Sequence, residues 1–158
     1  MQSWLGKKLV DHMLAALRAG NPKPTLRMEA RDVVFSFPGD SSWGGVHTGK
    51  KELRAWYERF CQAGLQIFAD EVIVKGFPWR QTIAVRGTDH LDSADGERVY
   101  GNRYVIWGHM RWGRLKRYEV YEDTQGTAAL DDWLERVGHP AAASATAGSG
   151  RRRLRRAA

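Results

Sequence analysis

At Gly64 the spacing of apolar residues changes from near four to two, and this change limits what the chain can build. Downstream, Gln66–Lys75, Thr82–Leu91, Val99–Met110 and Leu115–Thr124 alternate apolar and polar side chains, as half-buried strands do. Gly76 and Pro78, then Ser93–Gly96, then Trp112-Gly113 separate them. Connections that short cannot cross over a sheet, so these four stretches are predicted to be antiparallel neighbours in a meander.

Upstream, the pattern is helical. Leu5, Leu9, Met13 and Leu17, widened by Val10 and Leu14, give one apolar stripe over Ser3–Ala19. Gly20 and Asn21-Pro22 end it, and a short helix or turn is expected over Thr25–Ala30. Asp32–Phe37 (DVVFSF) reads as a short strand, and the Gly-rich loop PGDSSWGGVHTG follows from Pro38 to Gly49. A second amphipathic helix begins at Thr48, with Leu53, Trp56, Tyr57, Phe60 and Cys61 on its apolar face. A last one spans Thr127–Val137 before Gly138 and Pro140. Helices on one face of a curved antiparallel sheet give an α+β fold, and a sheet that curls without closing leaves a pocket under the helices.

Charge divides the chain. The formal net charge is +7, but five of the 25 Lys and Arg are Arg151, Arg152, Arg153, Arg155 and Arg156, and no acidic residue follows Glu135. Without them, 20 basic residues face 18 acidic ones, so the folded part is not read as a specific nucleic-acid binder. The expected organisation is a folded domain over residues 1–139 and a disordered Ala/Gly/Arg-rich tail over residues 140–158. One cysteine, Cys61, excludes an internal disulfide and reads as a buried thiol. No apolar run approaches the length of a membrane span and no signal peptide is visible, so a cytoplasmic protein is expected.

The element order carries three local patterns: GKKELRAW at Gly49–Trp56, NRYVIW at Asn102–Trp107 and GRLKRYEVYED at Gly113–Asp123. Together they resemble the nuclear-transport-factor-2-like superfamily, which includes ketosteroid isomerase, limonene epoxide hydrolase and the SnoaL-like polyketide cyclases. The resemblance covers about Leu5 to Val137. It implies a cone-shaped, curved antiparallel sheet with the N-terminal helices packed on its concave face, enclosing a pocket, and a homodimer formed through the outer sheet face.

Both faces of each strand hold apolar groups, so alternation alone does not choose the inner one. The resemblance places Gly87, Asp89 and Leu91, then Asn102, Tyr104 and Ile106, then Tyr118, Val120 and Glu122 inward. Arg103, Val105, Trp107, Arg117, Glu119 and Tyr121 then face outward. Phe35, Phe37, Trp56, Phe60, Tyr118 and Val120 are expected to line a site for a small hydrophobic molecule.

Asp89 is the candidate acid/base, because a carboxylate in an apolar pocket has its pKa raised toward neutrality. Asn102, Tyr104 and Tyr118 are candidate donors to it or to a ligand oxygen. The alternative is a solvated Asp89 at a strand end. The epoxide hydrolase set does not carry over: Gly87 and Val120 stand at its Arg and second Asp positions, and Phe35 and Phe37 where it has Tyr and Asn. Val120 also falls where SnoaL-like cyclases carry their acid/base Asp, and a register slip would bring Asp123 or Glu122 there. Asp123 is otherwise expected to anchor the strand end. His47, His90 and His109 are read as structural or solvated, without metal-ligand spacing, and no cofactor is implied. Two functions follow from these residues. One is a cofactor-independent cyclase, isomerase or hydrolase acting on a polyketide- or terpenoid-like molecule. The other is a non-catalytic ligand-binding or assembly module.

Overall fold

The computed structural model of the chain describes residues 2–143. Four helices and six strands follow in the order α1 (Gln2–Arg18), α2 (Lys23–Met28), β1 (Glu29–Phe37), β2 (Gly45–Thr48), α3 (Gly49–Ala63), β3 (Gln66–Phe77), β4 (Arg80–Asp92), β5 (Arg98–Arg111), β6 (Arg114–Glu122) and α4 (Thr124–Arg136). The helix ends follow from local chemistry. Gly20 takes a left-handed φ of 78° after α1, and the Gly20 and Asn21 N–H groups return to the Leu17 and Ala16 carbonyls at 2.9 and 2.8 Å. That pairing closes the last turn. At the start of α3 the Glu52 carboxylate reaches back to the Thr48 N–H at 2.7 Å.

The strands form one sheet in the order β2-β1-β6-β5-β4-β3. The meander β3 to β6 is antiparallel throughout, as the short turns require. The sheet as a whole is mixed, which corrects the wholly antiparallel expectation. β1 pairs with β6 in parallel, Phe35 opposite Tyr118. Turn length constrains only adjacent strands, and between β1 and β6 lie a helix and the entire meander. A second difference lies in the Gly-rich loop, where β2 pairs with β1 and sets His47 opposite Phe35.

The fold is α+β and the sheet is open and curved. α1 packs on β3, α3 on β1 and α4 on β5. Their apolar faces meet the inner face of the sheet in one core, where Val33, Leu53 and Leu134 are wholly buried and Phe35 and Trp43 nearly so. Beyond α4 the chain stays in contact with the helices as far as it is described. Ala141 and Ala142 are buried, and Arg59 Nε donates to the Ala141 carbonyl at 2.9 Å. Residues 144–158, which include the arginine run, lie outside the described residues.

Candidate functional site

Between the helices and the inner sheet face lies a cavity of about 110 Å³. Phe35, Phe37, Trp56, Phe60, Tyr104, Tyr118 and Val120 all line it. The rings brace one another: Phe35 stacks on Tyr118 at 4.7 Å and meets Trp56 edge-on at 4.9 Å. Trp56 is held in turn by its indole N–H, which donates to the Trp43 carbonyl at 3.1 Å. Of the positions named inward, Gly87, Asp89, Leu91, Tyr104, Tyr118 and Val120 are buried and Asn102, Ile106 and Glu122 half-buried; of those named outward, Arg103, Val105, Trp107, Arg117 and Tyr121 are exposed and Glu119 half-buried.

Two carboxylates, Asp89 and Glu122, line this mostly apolar cavity together with Thr25. Asp89 is 7% exposed. Burial raises its pKa to about 6, against the opposing hydrogen bond from Tyr100. The Tyr100 hydroxyl donates to Asp89 Oδ2 at 3.3 Å, while Oδ1 is buried without a partner. Burial likewise raises Glu122 to about 7, assisted by the charges of Asp89 and Asp123 and opposed by a hydrogen bond from the Thr127 hydroxyl. Asn102 Nδ2 donates to Tyr100 Oη at 3.3 Å and to the Asp123 carbonyl at 2.9 Å. Asp89, Tyr100, Asn102, Glu122 and Thr127 thus form one cluster where α4 covers β5.

The other named donors are engaged elsewhere. Tyr104 Oη donates to the Phe68 carbonyl at 2.9 Å, not to Asp89. Gly87 makes this crossing possible, because a Cβ there would stand 1.9 Å from the Phe68 oxygen and 2.7 Å from Tyr104 Oη. Tyr118 Oη donates to Glu29 Oε1 at 2.7 Å and lies 2.8 Å from Tyr57 Oη. Asn102 meets Asp89 only through Tyr100. Asp123 is exposed and caps α4, accepting the Gln125 N–H at 3.0 Å. It is held at the strand end, away from the cavity.

Sequence reasoning missed Tyr100, Thr127, Tyr57 and Glu29. Tyr100 had a signal, since it shares the parity of Asn102 two residues earlier. Glu29 had none: it falls in a stretch read as helix or turn, yet it begins β1 with 1% exposure and burial raises its pKa to about 7. Cys61 is half-buried, and burial raises its thiol pKa. His47 stacks on Phe35 and His90 on Phe68. Among the described residues, no three His, Cys, Asp or Glu side chains converge as a metal-ligand set.

A curved open sheet, helices over its inner face and an aromatic cavity with two carboxylates in its wall are the features of a nuclear-transport-factor-2-like domain. The chain belongs to the SnoaL-like family, whose domain model matches residues 10–118. Solved structures of the same fold agree. PrhC from Penicillium brasilianum is 14% identical, with 89% of this chain and 93% of that one covered at a TM-score of 0.67. TerC, co-crystallised with polyporic acid, is 22% identical, with 78% and 95% covered at 0.64. A nuclear-transport-factor-2-like protein of unknown function from Burkholderia pseudomallei is 22% identical, with 78% and 94% covered at 0.63. No curated protein matches the sequence.

Proposed function

We propose that the chain binds a small hydrophobic molecule in its aromatic cavity and acts on it by cofactor-independent acid/base chemistry, as an isomerase, cyclase or hydrolase. The observation that carries this reading is the placement of Asp89 and Glu122 in one apolar cavity with pKa values near neutrality, about 6 and about 7. Two such carboxylates divide the labour: the one with the lower value takes up a proton while the other still holds one. Asp89 Oδ1, free of internal partners, is the atom available to a ligand. Tyr100, fixed between Asn102 and Asp89, steers the other oxygen away. TerC's co-crystallisation with polyporic acid supports a small organic ligand for this fold.

A binding module without turnover is the second reading. It is favoured by Tyr104 and Tyr118, whose hydroxyls are both spent on Phe68 and Glu29 and so do not offer an oxyanion site. Screening of enolisable ketones, epoxides and polyketide-like aromatics with the wild-type chain and Asp89→Asn separates the readings. Turnover that disappears in Asp89→Asn supports the enzyme, and turnover that persists rejects Asp89 as its acid/base. Binding without turnover supports the module.

The outer sheet face is read as a homodimer interface, in which exposed Val105, Trp107 and Tyr121 would bury against a partner beside Arg103, Arg117 and Glu119. Sedimentation should give a dimer that Trp107→Glu dissociates. A wild-type monomer at tens of micromolar, roughly the range a weak interface fills, contradicts it. The described helices include none long and apolar enough to cross a membrane.

A further inference from the structure

The hairpins β3–β4 and β5–β6 end side by side, tied by a 2.6 Å hydrogen bond from the Trp112 N–H to the Pro78 carbonyl. Their tips carry Phe77, Trp79 and Trp112, which are 66%, 53% and 65% exposed. Phe77 and Trp79 stack at 5.0 Å, and Trp79 meets Trp112 at 6.2 Å. Large aromatic side chains so exposed gain little from packing in the isolated chain.

Trp112 is held there against its own backbone preference. Its φ is 52°, and Gly113 follows at 71°. Hairpin turns with two positive φ values favour Asn-Gly, because a bulky side chain is strained in the left-handed region. A strained, outward-pointing Trp marks a position chosen for something outside the fold.

The tip stretches Lys75–Gln81 and Met110–Lys116 contain Lys75, Arg80, Arg111, Arg114 and Lys116 and no acidic residue; Lys116 is paired with Asp32 and Arg114 donates to the Arg27 carbonyl, which leaves Lys75, Arg80 and Arg111 as the cations facing outward. Directly behind the tips opens an apolar groove of about 510 Å³, bounded by Leu5, Leu9 and Met13 of α1 and by Val74, Met110 and Leu115 of the sheet. Met13 and Leu115 also line the inner cavity, so groove and cavity share a wall.

From these features we infer that the hairpin tips and the groove behind them dock on an anionic lipid surface. Trp and Phe partition into the interfacial layer, the basic residues meet lipid phosphates and carboxylates, and the groove faces the acyl region. A second copy of the chain is a poor occupant, since a two-fold contact would set basic tips against basic tips. The segment 144–158 is also a poor one, with Leu154 as its one large apolar residue. A single-stranded nucleic acid would use the rings and charges but leave the Leu- and Met-lined groove exposed. The inference does not depend on the acid/base reading of the cavity.

Co-sedimentation of the full chain with phosphatidylcholine vesicles, with and without phosphatidylserine, tests it. The expected result is binding to the serine-containing vesicles, weakened by salt, with little binding to phosphatidylcholine alone. Phe77→Ser/Trp79→Ser/Trp112→Asn should weaken binding by roughly tenfold or more. It should also melt no lower than the wild type, because the replaced side chains are exposed and Asn accepts a left-handed φ. Four results would overturn the inference: no binding to anionic vesicles, undiminished binding by the triple variant, self-association that the triple variant abolishes, or tighter binding to a single-stranded oligonucleotide than to the vesicles.

Discussion

Tyr100 donates its hydroxyl to Asp89 Oδ2 at 3.3 Å and leaves Oδ1 buried with no partner inside the protein. An unpaired carboxylate oxygen at a cavity wall costs free energy that a ligand hydroxyl or acidic C–H would recover in part. Replacing Asp89 with Asn keeps the shape and removes the exchangeable proton. Turnover of a substrate should fall by ~10²–10⁴ while ligand affinity stays within a few-fold. Asp123→Asn should leave turnover nearly unchanged, since Asp123 caps α4 outside the cavity. Steady-state kinetics on both variants checks the pair, and the reverse order would move the acid/base to the strand end.

Gly87→Ala should destabilise the fold by roughly 1–3 kcal/mol, the usual cost of forcing atoms into filled space. The added Cβ strikes the Phe68 carbonyl of β3, a backbone atom that cannot swing aside. Tyr104→Phe should lower stability by about 1 kcal/mol through loss of the Phe68 bond, with little effect on turnover beyond that. Chemical denaturation measures both.

Stability should fall as pH rises from about 4 to about 7. Burial raises the pKa values of Glu29, Asp89 and Glu122 in the folded state, from 4.5 to about 7, 3.8 to about 6 and 4.5 to about 7. The folded chain therefore holds more protons than the unfolded chain in that window, and deprotonation works against folding. For Glu29 alone, with Tyr118 and Lys50 as the opposing influences, the effect is on the order of 3 kcal/mol. Glu29→Gln should flatten this part of the pH profile between about pH 4 and about pH 7. An unchanged slope in that variant would show that Glu29 is ionised at little cost.

A chain ending at Pro140 should melt lower than one ending at Ala143. Ala141 and Ala142 are buried, and the Ala141 carbonyl accepts from Arg59, which also reaches Ser42 and forms an ion pair with Asp131 at 3.5 Å. Removing them should cost roughly 1–3 kcal/mol, the range for a buried donor or acceptor left unpaired. Thermal unfolding of the two truncations decides it.

The meander from β3 to β6 was legible because alternation and short turns are local signals. So were the helix ends at Gly20 and Gly64, where φ is positive. The parallel joint between β1 and β6 was not legible, since it depends on how distant segments return to one another. Phe35, Phe37, Trp56, Phe60, Tyr118 and Val120 do line one cavity, but alternation alone could not choose that face. Hydrogen-bond partners were the harder part. Whether Tyr104 meets Asp89 or the Phe68 carbonyl is decided by Gly87 and by the shift in pairing between Ala69 and Glu71, neither of which alternation reveals.

Carboxyl-carbon NMR titration of the ligand-free chain tests most directly whether the cavity holds an acid/base pair. The resonances of Asp89 and Glu122 should titrate near 6 and near 7, each assigned by its loss in Asp89→Asn or Glu122→Gln. Removing Asp89 should also lower the Glu122 value, because the Asp89 charge helps raise it. Midpoints for both near 4, the ordinary range for an exposed carboxylate, with no response of either to loss of the other, would contradict the account.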